Sequence, residues 1–182
     1  MKHEFAAAHL HIEAFARAAG ELVGEERLAR FDRIMEETQG LGGEMLVRYS
    51  SHGEIRADRA GVEEPWIHLE VEVNLPLLCQ RCLTPVDVDV VFERSFRFVA
   101  TEELAALEDE ESEEDVLVLH KSFNLLELIE DELLMEMPVA PKHSICPKPV
   151  KMQAIDPDFR EEEAGKPNPF AALAQLKKGP IG

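Results

Sequence analysis

The chain has 182 residues, 45% of them apolar and 31% charged, which suits one soluble domain of ordinary size with a proper core. Nineteen Lys and Arg against 37 Asp and Glu give a net charge of −18, so non-specific binding to a phosphate backbone is disfavoured and a basic partner is easier to accommodate. No apolar run approaches the ~20 residues of a membrane span, and three cysteines are an odd number that argues against a disulfide framework.

The first twenty residues are interrupted by Glu4, His9, His11, Glu13 and Arg17, where a secretory signal would be continuously apolar. A cytoplasmic protein with neither DNA nor a membrane as partner is expected. Residues 5–38 read as two helical segments; Leu28, Phe31, Ile34 and Met35 recur at spacings of three and four and form one stripe. Gly40, Gly42 and Gly43 then stop the helix. This GLGG run follows a helix instead of opening one, so it is no dinucleotide loop.

From Glu44 the period changes to two. Met45, Val47 and Tyr49 alternate with polar neighbours, and SSHG (residues 50–53) reads as a turn. Ile67, Leu69, Val71, Val73, Leu75 and Leu77 then share one face of a long strand, with His68, Glu70, Glu72 and Asn74 on the other. A second alternation runs through Val86, Val88, Val90, Phe92, Phe96 and Phe98. One apolar and one polar face indicate antiparallel pairing, with CQRC (residues 79–82) in the hairpin connection.

Nine carboxylates crowd residues 101–115, and without them the chain would still carry −9 (−18 + 9). This run reads as a solvated loop or, more sharply, as a docking tail for a basic protein. Residues 116–119 add a short strand. Asn124 then caps a helix lined by Leu125, Leu128, Ile129 and Leu133, whose other side is acidic at Glu127, Glu130, Asp131, Glu132 and Glu136; Pro138 ends it. A proline-rich segment holding His143 and Cys146 follows, and the chain closes on a short helix begun by Asn168 and Pro169. The expected architecture is α+β: an antiparallel β-sheet or partly closed barrel with N-terminal helices, an acidic helix after the sheet and a short C-terminal helix. It forms a single domain over 1–182, divided into a helical segment (1–42), the sheet with the acidic helix (43–140) and a proline-rich tail (141–182).

Three readings of Cys79 and Cys82 stay open. A redox pair needs a helix N-terminus to lower the thiol pKa, and a strand pattern follows Cys82 instead. Half of a zinc site fits a turn between strands, with His143 and Cys146 as the HxxC pair that completes a structural Cys3His set. Reduced cysteines in a structural turn are the third. The remaining histidines and carboxylates single out no acid–base couple, and no nucleophile elbow, P-loop or HExxH is present, so no enzyme is expected.

LCQRCLTPV, then NLLELIEDELLMEMPVAPKH with a following cysteine, then KPNPFAALAQLK, taken in that order, resemble the large ribosomal RNA subunit accumulation proteins, the YceD-like family. The resemblance spans about residues 43–178. By motif, Cys79, Arg81, Cys82 and Leu83 match the family's cysteine signature. Asp131, Glu132, Leu133, Pro138, Pro141 and His143 match the acidic helix and its exit, and Asn168, Pro169 and Phe170 the tail. The resemblance implies a non-enzymatic ribosome biogenesis factor supporting synthesis, processing or stability of large-subunit (23S-type) ribosomal RNA. Its expected partner is that RNA or a pre-ribosome. Contact would run through Arg48, Arg56, Arg59, Arg81, Arg94 and Arg97 of the sheet region, with Asn168 and Phe170 of the tail, or indirectly through a basic ribosomal protein. The alternatives are an acidic holdase for a basic ribosomal protein without RNA contact and, last, a zinc- or thiol-dependent enzyme.

Overall fold

The period-two stretches pair into one five-stranded sheet in the order β1-β2-β3-β4-β5. The strands are β1 (Glu21–Arg27), β2 (Leu46–Ala57), β3 (Glu63–Leu78), β4 (Pro85–Val99) and β5 (Asp115–Val118). The computed structural model describes residues 5–57, 61–109, 112 and 114–149. The first four strands run antiparallel and β5 lies parallel to β4. With β1 and β5 at its two margins, the sheet is open and no barrel closes.

Among the described residues four α-helices accompany it: α1 (Ile12–Arg17), α2 (Asp32–Glu37), α3 (Glu102–Asp109) and α4 (Leu125–Glu136). Ile67, Leu69, Val71, Val73, Leu75 and Leu77 of β3 are all buried, as their shared face requires, and pack in one core with Ile12, Phe15, Ile34, Leu125, Ile129 and Leu133 from the helices and Phe31 just before α2. Each such large side chain contributes roughly 1.5–3 kcal/mol by leaving water. The opposite face of the sheet is open, with Val23 82% and Val91 68% exposed.

The sequence reading and the structure differ in several places. Glu21–Arg27 is an edge strand, not helix, held by seven register pairs with β2; its weak β-propensity is overridden by tertiary pairing. The stripe of Leu28, Phe31 and Ile34 is buried as expected, but a 3₁₀ turn (Leu28–Arg30) and the short α2 carry it. The glycine stop holds, with Gly40 and Gly42 at φ of 78° and 76°.

SSHG is no turn; β2 runs straight through it. Gly53 is there because α1 presses on the strand: an added Cβ would lie 2.6 Å from Phe15 Cδ1, while the Gly53 N–H donates to Gly20 O at 2.9 Å. The acidic run is helical over α3, whose Leu104 N–H donates to Thr101 Oγ1 at 3.2 Å. That helix is the crossover a parallel β4–β5 pair needs. Finally, the acidic side of α4 is engaged inside the fold. Arg33 of α2 contacts Glu130 and Asp131 at 3.0 and 2.6 Å, and Glu132 is only 3% exposed. Asn124 Oδ1 accepts from the Leu126 N–H at 3.2 Å, so the cap is as read. The terminal helix expected from Asn168 lies outside the described residues.

Candidate metal centre

β3 ends at Leu78 and β4 begins at Pro85, so CQRC occupies the tight connection of the longest hairpin. The turn is closed by its own backbone: the Cys79 N–H donates to Thr84 O (3.0 Å) and the Leu83 N–H to Cys79 O (2.9 Å). Leu83 takes a left-handed φ of 55°, which bends the chain back toward β4. Pro138 releases the chain from α4, and the following segment returns to the hairpin tip, where Pro141 O accepts from the Gln80 N–H at 2.9 Å. Arg81 adds a second strap through its guanidinium, which donates to His143 O.

Those contacts bring Cys79, Cys82, His143 and Cys146 together, with one ligand atom of each within 4.8 Å of all the others. Cys82 Sγ lies 3.4 Å from His143 Nδ1 and 3.1 Å from Thr84 Oγ1. Zinc bonds of about 2.3 Å to sulfur and about 2.0 Å to nitrogen imply tetrahedral edges of roughly 3.5–3.8 Å. The cluster is therefore of the right size and donor set for one tetrahedral ion, and the chain supplies all four ligands, as in closed structural sites.

Electrostatics point the same way. Burial pushes the Cys79 thiol up, but backbone N–H groups of Cys82, His143 and Arg81, together with the His143 side chain, outweigh it and bring the thiol down to about 5. The Thr84 hydroxyl is the main influence lowering Cys82. Cys146 is pushed up to about 11 by burial and by the neighbouring Cys82 and Cys79 sulfurs. The hydrogen bond to Cys79 raises His143. Several sulfurs this close cannot all ionise without a cation between them, and a cation is what the geometry can hold.

The expected partner-contact arginines are spread over different locations. Arg48, Arg56 and Arg97 rise from the open face, Arg94 from the helix-covered face and Arg81 from the hairpin tip. Arg56 pairs with Glu54 and sits 4.5 Å over the Trp66 ring. Arg97 pairs with Glu64 at 3.2 Å and with Glu108. Arg94 reaches beneath α4 to Glu132 (2.8 Å) and Glu136 (2.5 Å), and Asp115 lies 3.8 Å away. The Arg94–Glu132 pair is a charge contact, with no well-directed hydrogen bond to that Glu132 oxygen. Arg59, Asn168 and Phe170 lie outside the described residues.

Around Arg48 the open face is acidic. Register places Glu25 and Glu72 on either side of Arg48 and sets Glu70 directly opposite Glu93, in a shallow concavity that also exposes Val23 and Val91. Farther along, His68 bridges three strands: Ser95 Oγ lies 2.6 Å from its Nδ1 and Glu54 Oε1 2.6 Å from its Nε2. Sequence reasoning missed this cross-strand strap, along with Thr84 and the Pro141 carbonyl. Cross-strand register is invisible until the hairpins are paired.

A family model described as large ribosomal RNA subunit accumulation protein YceD matches residues 67–177, a span containing all four clustered ligands. The protein of that name from Haemophilus influenzae is 33% identical over 111 residues, covering 60% of this chain and 63% of that relative. The chain thus spans less than two thirds of that relative's length. No solved structure gives a significant match.

Proposed function

Because the chain belongs to the large ribosomal RNA subunit accumulation protein YceD family, we propose that it supports the accumulation of 23S-type ribosomal RNA as a non-catalytic assembly factor. The observation that carries this reading is the family match over residues 67–177. The hairpin tip and the segment after α4 serve as its working end, fastened together by a structural zinc on Cys79, Cys82, His143 and Cys146. A closed four-ligand zinc supplies folding free energy and rigidity, not an activated water. The chain's own contribution is to pre-form the site, through the Thr84 hydroxyl beside Cys82, the Gln80 N–H that donates to Pro141 O and the Arg81 guanidinium that donates to His143 O.

A second reading, capture of a basic ribosomal protein, is favoured by one specific feature. The open face sets Glu70 directly against Glu93, a pair that repels itself unless a cationic group lies across it, and the single Arg48 there already stands between Glu25 and Glu72.

The test is the ratio of large- to small-subunit ribosomal RNA in bacteria lacking this protein, complemented with the native chain or with Cys79→Ser/Cys82→Ser at matched protein level. The native chain restores a lowered ratio and the variant does not. An unaltered ratio in cells lacking the protein overturns the proposal.

A further inference from the structure

Charge is distributed unevenly along this chain. Residues 75–86 and 138–148, the two stretches that meet at the ligand cluster, contain no Asp or Glu, but they contain Arg81, Lys142 and Lys148. All three are exposed, and among the described residues none of them is paired with a carboxylate. Of the sheet arginines, Arg56, Arg94 and Arg97 are each held by acidic neighbours, and Arg48 stands in register between Glu25 and Glu72. The same two stretches also expose large apolar side chains, Leu83 at 68%, Val139 at 101% and Ile145 at 86%.

From this combination we infer that the hairpin tip with residues 138–148 is a single-stranded RNA contact: Arg81, Lys142 and Lys148 meet phosphates, and Leu83 and Ile145 pack on unstacked bases. The inference rests on the functional reading above and names the molecule that site touches. Cationic side chains supply the affinity for an anionic backbone, whereas apolar groups beside them suit splayed bases better than a duplex, whose bases are stacked inward. A chain of net charge −18 repels RNA as a whole, so among the described residues the carboxylate-free hairpin end is where an anionic strand is accepted, and orientation follows without a large interface. Two segments joined at the ligand cluster keep the three cations in fixed relative positions, which limits the entropy lost on binding.

Three phosphate contacts to a single strand give a slope of log K against log salt of about −2, equivalent to about a 20-fold loss of affinity from 50 to 200 mM salt. The experiment uses the full chain and tiled, in vitro transcribed fragments of large-subunit ribosomal RNA, with binding followed by fluorescence anisotropy across that salt range. At least one fragment binds the native chain with that slope. Arg81→Gln/Lys142→Gln/Lys148→Gln binds it at least tenfold more weakly, and Arg48→Gln on the open face binds within twofold of native. Melting temperature and metal content are measured for each variant. Lys142→Gln/Lys148→Gln, which leaves the Arg81 contact to His143 O in place, keeps both at native values and still binds more weakly, so a loss confined to the triple variant is assigned to the strap and counts against the phosphate contact.

No fragment bound by the native chain at 50 mM salt overturns the inference, as does a triple variant that binds like native. Binding of a basic ribosomal protein with no RNA bound overturns it in favour of the acidic face. The ratio of subunit RNAs separates the two levels. A triple variant that restores the ratio leaves the assembly function standing and removes the tip contact, whereas a ratio unaffected by loss of the protein removes the function itself.

Discussion

Replacing Arg94 by Met tests whether the cation beneath α4 is needed by the buried carboxylate there. Arg94 stands at an inward position of β4, between Phe92 and Phe96, and faces Glu132, Glu136 and Asp115. Glu132 is 3% exposed, and burial raises its pKa although Arg94 opposes the shift. Removing the guanidinium leaves a buried charge beside two other carboxylates and costs roughly 3–5 kcal/mol. Glu132→Gln is the control. It removes the buried charge while Arg94 keeps Glu136 at 2.5 Å, so its cost is about 1 kcal/mol. In urea, with a slope near 2 kcal/mol per molar, the two midpoints differ by about 1–2 M.

The pH dependence has a definite sign. A carboxyl whose folded pKa lies above its unfolded value holds more protons when folded, so stability falls as pH rises through that interval. The Arg94→Met deficit is therefore largest at neutral pH and shrinks toward about pH 5, as Glu132 takes up a proton. Urea titrations of both variants at the two pH values measure it. Arg94→Met no less stable than Glu132→Gln at neutral pH, or a deficit that grows on acidification, refutes the reasoning.

Gly53→Val puts a Cβ 2.6 Å from Phe15 Cδ1 and 3.0 Å from the Phe15 carbonyl carbon, so it lowers stability by at least ~1–3 kcal/mol in a thermal melt; an unchanged midpoint would mean α1 does not press on β2. Asn124→Ala removes the hydrogen bond to the Leu126 N–H and costs about 1 kcal/mol in urea. Glu54 has its pKa lowered chiefly by the His68 hydrogen bond. Its stabilising effect is present above its unfolded pKa and is lost as pH falls, so the stability difference between native and Glu54→Gln narrows from about pH 6 to about pH 3. A difference that stays constant over that range counts against the His68 strap.

The sheet was legible where one strand carried its own signal. Six alternate apolar residues of β3 announce a buried face whatever their partners. β1 was not, because ELVGEER places its one β-branched residue, Val23, on the solvent side, and only pairing with β2 makes it a strand. Gly53 read as a turn signal when it marks close approach of α1, a distinction that requires the tertiary neighbour. Arg94 held a usable clue: a charge at an inward position between two phenylalanines demands a buried partner. Of the ligand cluster, the spacings CxxC and HxxC were visible and suggested zinc. The juxtaposition was not, since about sixty residues separate the halves and the route of the chain past Pro138 decides it. The absence of acidic residues around the cluster was also in plain view, but it became informative only once residues 75–86 and 138–148 stood side by side.

Metal content of the purified chain tests the central claim most directly. The protein is prepared under reducing conditions without chelators or metal-affinity resin and analysed by plasma mass spectrometry beside Cys146→Ser. The account predicts one zinc per native chain, strongly reduced in the variant, with chelation lowering the melting temperature. A native chain that stays folded with reduced cysteines and binds no zinc, even when zinc is supplied, contradicts it.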